Sequence, residues 1–181
     1  MYQDAVAPEM AFVFDNAEIK FAVVEDQEQV DKLLEIRHRL PKLERIIYED
    51  PRGMLHYGQN FLSAYGAVQD LGRKLHADHP GLFSAQVDQG SASDVAIMLY
   101  TSGTTGRPKG VCQTHAALMT AARGGCAFDK LGPGDEVLSY LPMAWVGDNL
   151  FSYAQALVGG FTINCPESGD TVMTDLREIG P

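Results

Sequence analysis

The sequence predicts an α/β fold with a mostly parallel sheet flanked by helices. Short apolar segments of strand length alternate with longer segments in which apolar residues recur at helical spacing. This alternation is typical of strand–helix–strand units, whose crossovers are right-handed and whose helices cover both faces of the sheet. A chain of 181 residues with 45% apolar and 21% charged residues has the size and composition of about one globular domain.

The first half of the chain, residues 1–80, is predicted to be one α/β subregion. Asp15 and Asn16 end an opening helix, Asp26 is placed to cap the next helix, and Pro41 limits it. The predicted elements are a helix at 10–16, a strand at 21–24, a helix at 27–40, a strand at 45–48 and a helix at 61–76.

The second half begins after a surface connection predicted at 81–93, where glycine and small polar residues gather. Residues 94–181 are predicted to form a second α/β subregion, whose last helix stops at Gly180 and Pro181. The predicted elements are strands at 95–100, 110–114, 137–140 and 161–164, with helices at 115–128, 149–158 and 175–179.

The loop between the first two strands of this half, within YTSGTTGRPKG at 100–110, has the composition of a phosphate cradle. Glycines let backbone N–H groups converge on an anion, hydroxyls donate to phosphate oxygens, and Arg107 and Lys109 supply positive charge. Because the chain carries a net charge of −10, a polyanionic nucleotide needs such a local cationic site. The candidate ligands are Thr101, Ser102, Gly103, Thr104, Thr105, Gly106 and Lys109.

Two other interpretations of this loop fit less well. The P-loop of NTPases requires Gly-Lys-Ser/Thr at the start of a helix, whereas Lys109 is followed by Gly110 and the loop is predicted to join two strands. A flexible Ser/Thr/Gly linker does not require Pro108 and Lys109 in succession, nor an apolar strand before it.

The run from Tyr100 to Gly110 resembles the signature loop of the adenylate-forming superfamily, which includes acyl-CoA synthetases, aryl-CoA ligases, luciferases and peptide-synthetase adenylation domains. Downstream, LPMAW at 141–145 is similar to the next motif of that family, which leads to an aromatic residue or His at the acyl pocket. The spacing, and the Gly-Asp that follows, most resemble bacterial long-chain acyl-CoA synthetases. The resemblance implies part of the N-terminal domain of such an enzyme.

The resemblance also implies a chemistry. A carboxylate attacks the α-phosphorus of ATP, pyrophosphate leaves, and coenzyme A captures the acyl-adenylate, while Mg²⁺ bridges phosphate oxygens. The loop would hold the β- and γ-phosphates, Lys109 would be the catalytic cation that offsets charge on pyrophosphate, and Trp145 would border the acyl pocket. A lone Trp is equally well explained as a core residue. Asp148 and His115 are more readily explained as helix-start residues.

Family members are several times longer, so the chain is expected to be a central fragment. The family's later motifs for adenine and ribose, and the catalytic Lys of its C-terminal domain, are not found, so we expect no catalysis by the chain alone and weak ATP binding. Two alternatives stay open: a stand-alone nucleotide- or phosphate-binding module without ligase activity, and a fragment of an aryl-CoA ligase. Truncation would expose apolar surface, which predicts self-association.

Charge and composition argue against several other classes. The negative net charge disfavours a nucleic-acid or anionic-membrane surface. No apolar run has the length of a bilayer span and the N-terminus lacks a leader pattern, so a cytoplasmic location is expected. The three cysteines form no CxxC pair and are expected to be reduced thiols. His76 and His79 have no third ligand in view, so no metal site is expected.

Overall fold

The computed structural model describes residues 4–101 and 108–181. The chain divides into two compact units, with the boundary between Gly90 and Ser91. This boundary lies inside the connection expected at 81–93. The division into subregions 1–80 and 94–181 stays a prediction.

The first unit contains a three-stranded parallel sheet with strand order β1-β2-β3. Phe21 pairs with Arg45 at one end of the first pair of strands, and Ile46 pairs with Leu62 in the second. The unit consists of α1 (Ala7–Asn16), β1 (Phe21–Val24), α2 (Gln27–Ile36), β2 (Arg45–Tyr48), β3 (Leu62–Ala64), α3 (Tyr65–Asp78) and α4 (Leu82–Val87), with 3-10 turns at Arg37–Arg39 and Met54–His56.

The core of the first unit lies on one face of this sheet. Val30 and Leu33 of α2 and Ile46 of β2 are completely buried, and they pack with residues of α1. Because neighbouring side chains on a strand point to opposite faces, Phe21 and Val23 lie on the other face, where they remain exposed. The expectation that helices cover both faces is therefore wrong for this part of the sheet.

Three sequence-based boundaries in this unit need correction. The segment predicted as a helix from residue 61 begins as the strand β3, and the helix α3 starts only at Tyr65. Helix α2 ends at Ile36 and gives way to a 3-10 turn, well before Pro41. The surface connection contains the short helix α4.

The predicted cap of α2 is confirmed, because an Asp26 side-chain oxygen accepts a hydrogen bond from the Gln29 backbone N–H at 3.2 Å.

A polar network ties α2 to the segment that follows the Met54–His56 turn. The Tyr57 hydroxyl donates to an Asp31 carboxylate oxygen and accepts a hydrogen bond from Gln27 Nε2 at 2.9 Å. The hydrogen bond to Asp31 raises the pKa of Tyr57, since it stabilises the protonated phenol. The neutral tyrosine is thus the form that the folded unit prefers.

The second unit contains two two-stranded sheets. The strands β4 and β5 are antiparallel, with Val95 paired to Thr114 and Thr101 to Lys109, whereas β6 and β7 are parallel. The unit consists of β4 (Val95–Thr101), β5 (Lys109–Thr114), α5 (His115–Asp129), β6 (Glu136–Leu138), a π-helix (Asp148–Ala154), α6 (Gln155–Gly159), β7 (Thr162–Asn164) and α7 (Val172–Ile179). Parallel pairings predominate in the described part of the chain, as predicted.

Helix α5 organises the second unit. Leu118 and Ala122 pack against Ala154 of the π-helix, and Ile97 of β4 packs against the same cluster. The Thr114 hydroxyl caps the helix by accepting a hydrogen bond from the Ala117 N–H at 3.1 Å. The predicted stop of the last helix is confirmed, since Gly180 follows α7 in the left-handed conformation with φ 64°.

Close contact between α5 and α6 requires a glycine at position 125. A Cβ built there would lie 1.9 Å from Gln155 Nε2, and Gln155 is only 2% exposed, so its amide has little space into which it could move. Gln155 Nε2 has no hydrogen-bond partner among the described residues. Gly124 is the natural control, because a Cβ there meets nothing within 4 Å.

None of the helices in residues 4–101 and 108–181 combines the length and the apolar character that a membrane-spanning helix needs.

We predict that Gly124→Ala and Gly125→Ala change stability in opposite directions. Gly124→Ala should raise the free energy of unfolding by about 0.5–1 kcal/mol through helix propensity. Gly125→Ala should lower it by about 1–3 kcal/mol, because the new methyl group collides with the Gln155 amide. Urea unfolding followed by circular dichroism measures both changes.

The Gln155→Ala background provides the control for this comparison. With the amide removed, Gly125→Ala should stabilise α5 as Gly124→Ala does, so the effects of Gly125→Ala and Gln155→Ala should be strongly non-additive. Equal stabilisation by both glycine substitutions in the unsubstituted chain would contradict the contact.

We also predict an alkaline loss of stability that depends on Tyr57. Because the pKa of Tyr57 is raised in the folded state, its contribution is fully present below the unfolded value of 10.0 and is lost as pH rises through the folded value. The urea midpoint should therefore fall less steeply above pH 10 in Tyr57→Phe than in the unsubstituted chain. Tyr140→Phe, in the other unit, serves as control, and parallel pH profiles for Tyr57→Phe and the unsubstituted chain would refute the assignment.

Candidate functional site

The pairing of β4 with β5 brings both ends of the candidate phosphate loop together. Thr101 and Lys109 are Cα partners at the last register position of the ladder, so the intervening loop is closed at its base. Both residues are exposed, as a ligand-binding pair must be. The predicted ligands between them, Ser102, Gly103, Thr104, Thr105 and Gly106, lie outside the described residues, as does Arg107.

The alternation of side chains along the hairpin assigns Thr101 and Lys109 to a definite face. Partners in an antiparallel pair share a face, and every second residue returns to it, so Thr101 and Lys109 lie on the same face as Ile97 and Leu99. Ile97 packs against the cluster around Leu118 of α5. The base of the loop is thereby fixed relative to α5.

The opposite face of the hairpin is covered by Tyr100. Its ring lies against Gly110, where a Cβ would come within 3.2 Å of the ring and 3.1 Å of Met98 Sδ. Burial, and to a smaller extent the neighbouring Cys112, raises the pKa of Tyr100. Tyr100 is therefore a neutral packing residue beside the loop at physiological pH, and Gly110 permits its close approach.

His115 lies at the other end of the hairpin. It begins α5 directly after Thr114, which pairs with Val95, and its backbone N–H donates to the Asp94 carbonyl at 3.1 Å. With a rise of about 3.4 Å per residue, β4 separates that end from Thr101 by about 20 Å. The structure therefore does not bring His115 to the loop base. It lines a shallow groove of about 240 Å³ together with Ala92, Ala116, Met119, Thr120 and Arg123.

The turn that contains Trp145 lies before the π-helix. The Trp145 backbone N–H donates to the Pro142 carbonyl at 2.9 Å, and the indole side chain is 48% exposed. Asn149 Nδ2 donates to the carbonyl oxygens of Met143 at 2.9 Å and Trp145 at 2.8 Å. The sequence-based interpretation of Trp145 as a core residue is wrong for this unit, because about half of its surface is accessible.

Asp148 does not cap the helix, although the sequence suggested that role. Gly147 occupies the cap position, and Asp148 lies in the first turn, where it is 7% exposed and accepts a hydrogen bond from Ser139 Oγ at 2.8 Å. A carboxylate in the first turn is also stabilised by the helix dipole. Ser139 and Asn149 were missed by sequence reasoning: Asn149 has the Gly-Asp-Asn run as its signal, whereas Ser139 has none.

The described residues offer no carboxylate set for a metal. Within them, no group of three or more His, Cys, Asp and Glu side chains is placed to hold a metal ion. The sequence from 95 to 114 also contains no Asp or Glu, whereas Mg²⁺ prefers carboxylate and phosphate oxygens. The composition of this loop suits an anion.

Comparisons with known proteins place these features in one family. A family model described as AMP-binding enzyme matches residues 1–181. The peroxisomal Acyl-CoA ligase 891 of Penicillium brevicompactum is 32% identical over 98% of this chain and 26% of its own length. The Long-chain-fatty-acid–CoA ligase ACSBG1 of Rattus norvegicus is 25% identical over 94% of this chain and 24% of its own length. The chain thus spans about a quarter of the length of these relatives.

Solved structures share the fold. The anthranilate CoA ligase AuaEII in complex with anthranoyl-AMP superposes with a TM-score of 0.73 at 18% identity, over 100% of this chain and 33% of that chain. A Mycobacterium tuberculosis fatty acyl CoA synthetase gives a TM-score of 0.70 at 19% identity, over 97% of this chain and 31% of that chain. At such identities the likeness concerns the fold alone.

We predict that Ser139→Ala lowers the free energy of unfolding by about 1–3 kcal/mol, because it removes a donor from the buried Asp148 carboxylate. Chemical unfolding measures the change. Ser168→Ala is the matched control, since Ser168 is exposed and its described hydrogen bonds use only its backbone; a change within about 0.5 kcal/mol is expected there. Equal effects of the two substitutions would show that the Asp148 contact contributes nothing to stability.

Proposed function

Because the chain belongs to the AMP-binding enzyme family, we propose that it supplies the ATP-phosphate loop of an AMP-forming acid–thiol ligase, an acyl-CoA synthetase. Its fold is the α/β fold of adenylate-forming enzymes, of which it covers a part. The observation that carries the proposal is the Thr101–Lys109 pair, which joins a hydroxyl and a cation at the base of a loop of glycines and hydroxyl residues.

The proposed reaction has two steps. A carboxylate oxygen of the acid attacks the α-phosphorus of ATP, the bond to the β-phosphate oxygen breaks, and pyrophosphate leaves. The thiol of coenzyme A then attacks the acyl carbon, loses its proton, and displaces AMP to form the thioester. ATP and coenzyme A are accordingly the proposed co-substrates, and Mg²⁺ would accompany the nucleotide phosphates.

The loop contributes to the first step through positioning and charge. The hydroxyls and backbone N–H groups from Thr101 to Gly106 hold the β- and γ-phosphates, and Lys109 offsets the charge that develops on the departing pyrophosphate. A preorganised hairpin base supports this role, because donors that are already fixed need little reorganisation when charge moves.

Trp145 is proposed to border the acyl pocket. Its exposure leaves the indole available for an apolar chain, and a fixed turn presents it. A long-chain acid is the proposed substrate class, in keeping with the relative named as a long-chain fatty acid ligase. An aryl acid is the alternative, which an acid panel on a protein containing this chain and the remaining family motifs would distinguish.

The chain by itself is proposed to bind ATP weakly and not to catalyse adenylation, because the family's adenine and ribose motifs are absent from its sequence. Exposed apolar side chains such as Phe21, Val23 and Phe83 support the prediction of self-association. A cytoplasmic location stays a prediction from sequence.

We predict that Lys109→Met weakens ATP binding by the 181-residue chain about tenfold, the equivalent of one lost charge-assisted contact of about 1.4 kcal/mol. Isothermal titration calorimetry with ATP measures the affinity. Lys74→Met is the control, because it removes the same charge from an exposed position on α3 in the other unit. Equal losses in both variants would mean that ATP responds only to net charge, and no loss in Lys109→Met would contradict the loop assignment.

A further inference from the structure

The segment that presents Trp145 is hydrogen-bonded to the start of the π-helix by the side chains of Asp148 and Asn149. Gly147 allows Leu141 Cδ1 to approach, since a Cβ there would lie 3.0 Å from it. Asp148 accepts the hydrogen bond from Ser139, and Asn149 donates to the Met143 carbonyl inside the turn and to the Trp145 carbonyl at its end. The segment is thus hydrogen-bonded at positions 139, 143 and 145.

The side chain of Asn149 supplements a long backbone hydrogen bond from the same residue to Trp145. Its own backbone N–H lies 3.4 Å from the Trp145 carbonyl, at the long end of hydrogen-bond distances. Its side-chain amide reaches the same oxygen at 2.8 Å and uses its second hydrogen on the Met143 carbonyl. Because one planar amide satisfies both acceptors, the two carbonyls cannot rotate independently.

Backbone contacts fix this turn while leaving the indole accessible. Trp145 is 48% exposed and Met143 is 83% exposed, although both backbones are anchored by the same amide. Moreover, π-helical turns occur frequently at functional sites, where an inserted residue alters which side chains face a ligand. The arrangement fixes the direction in which Trp145 leaves the backbone.

We propose that Asn149 is a positioning residue for acyl recognition. It orients Trp145 through the Met143 and Trp145 carbonyls and does not itself touch the acid. The inference rests on the proposed function for the acyl role of Trp145, but the positioning contact can be tested separately.

The single tryptophan of the chain makes the test direct, because all indole fluorescence comes from Trp145. Asn149→Asp keeps the shape of the side chain but removes both donors and places a carboxylate against two carbonyl oxygens. Asn149→Ser retains one smaller donor. Asn164→Ala is the control, since the Asn164 side chain bonds Glu136 between β6 and β7, and the substitution keeps the backbone carbonyl that accepts from the Ser139 N–H.

In the unliganded chain, Asn149→Asp should increase acrylamide quenching of Trp145, lower its fluorescence anisotropy and shift its emission to longer wavelength. Asn149→Ser should fall between it and the unsubstituted chain, and Asn164→Ala should leave all three quantities unchanged. Circular dichroism identifies any variant that fails to fold. If Asn149→Asp does not fold, the fluorescence of Asn149→Ser decides whether Asn149 positions Trp145. Unchanged Trp145 fluorescence in folded Asn149 variants would overturn the positioning role.

The acyl part of the inference is tested by titrating the chain with dodecanoate and with hexanoate while Trp145 fluorescence is followed. We expect dodecanoate to change the fluorescence, and Asn149→Asp to weaken this response about tenfold, the equivalent of two lost hydrogen bonds of moderate strength. Lys74→Met, which removes an exposed charge on α3, should leave it intact.

The possible outcomes separate the two claims. A dodecanoate response that is equal in the unsubstituted chain and in Asn149→Asp overturns the inference. The absence of a response in the unsubstituted chain overturns the acyl assignment of Trp145, and with it the recognition role of Asn149. The phosphate loop is tested independently by the ATP affinity of Lys109→Met.

Discussion

The register of β4 against β5 is the constraint on which the candidate phosphate site depends. Thr101 and Lys109 face each other only in this register, and Ile97 reaches the cluster on α5 only in the same one. A slip by one residue would turn Ile97 away from Leu118 and expose it, so apolar packing specifies the register. The energy that holds the loop base thus comes from apolar residues outside the set of candidate ligands.

A second constraint of the same kind fixes the Trp145 turn. There the anchors are polar and lie at the start of a helix, where Asp148 and Asn149 use their side chains to hold a neighbouring segment. In both places the contacts are directed at backbone or at buried neighbours, and the side chain that would meet a ligand stays accessible. Lys109 and Trp145 can remain exposed because other residues make the contacts that fix their backbones.

Sequence patterns predicted most elements where the chain itself marks their ends. The strands β1 and β2 have the predicted bounds, and the Asp26 cap and the Gly180 stop are formed by local side-chain and backbone geometry. The strand β3 was missed because three residues, Leu62–Ala64, run into α3 without a turn and continue its apolar pattern. The short connection between β4 and β5 did carry a signal for an antiparallel pair, because parallel neighbours need a longer crossover.

The sequence by itself determined the family, through a contiguous loop with the residue types of a phosphate cradle and a second motif downstream, without any knowledge of contacts. Only the tertiary structure decided the long-range contacts: the Thr101–Lys109 pairing, the approach of Gln155 to Gly125, and the hydrogen bond from the Asn149 amide to the Trp145 carbonyl. The physical reason is the sequence separation of the residues involved. A motif that binds an anion is local in the chain, whereas packing and register join residues that are distant in sequence, and they depend on the whole fold at once.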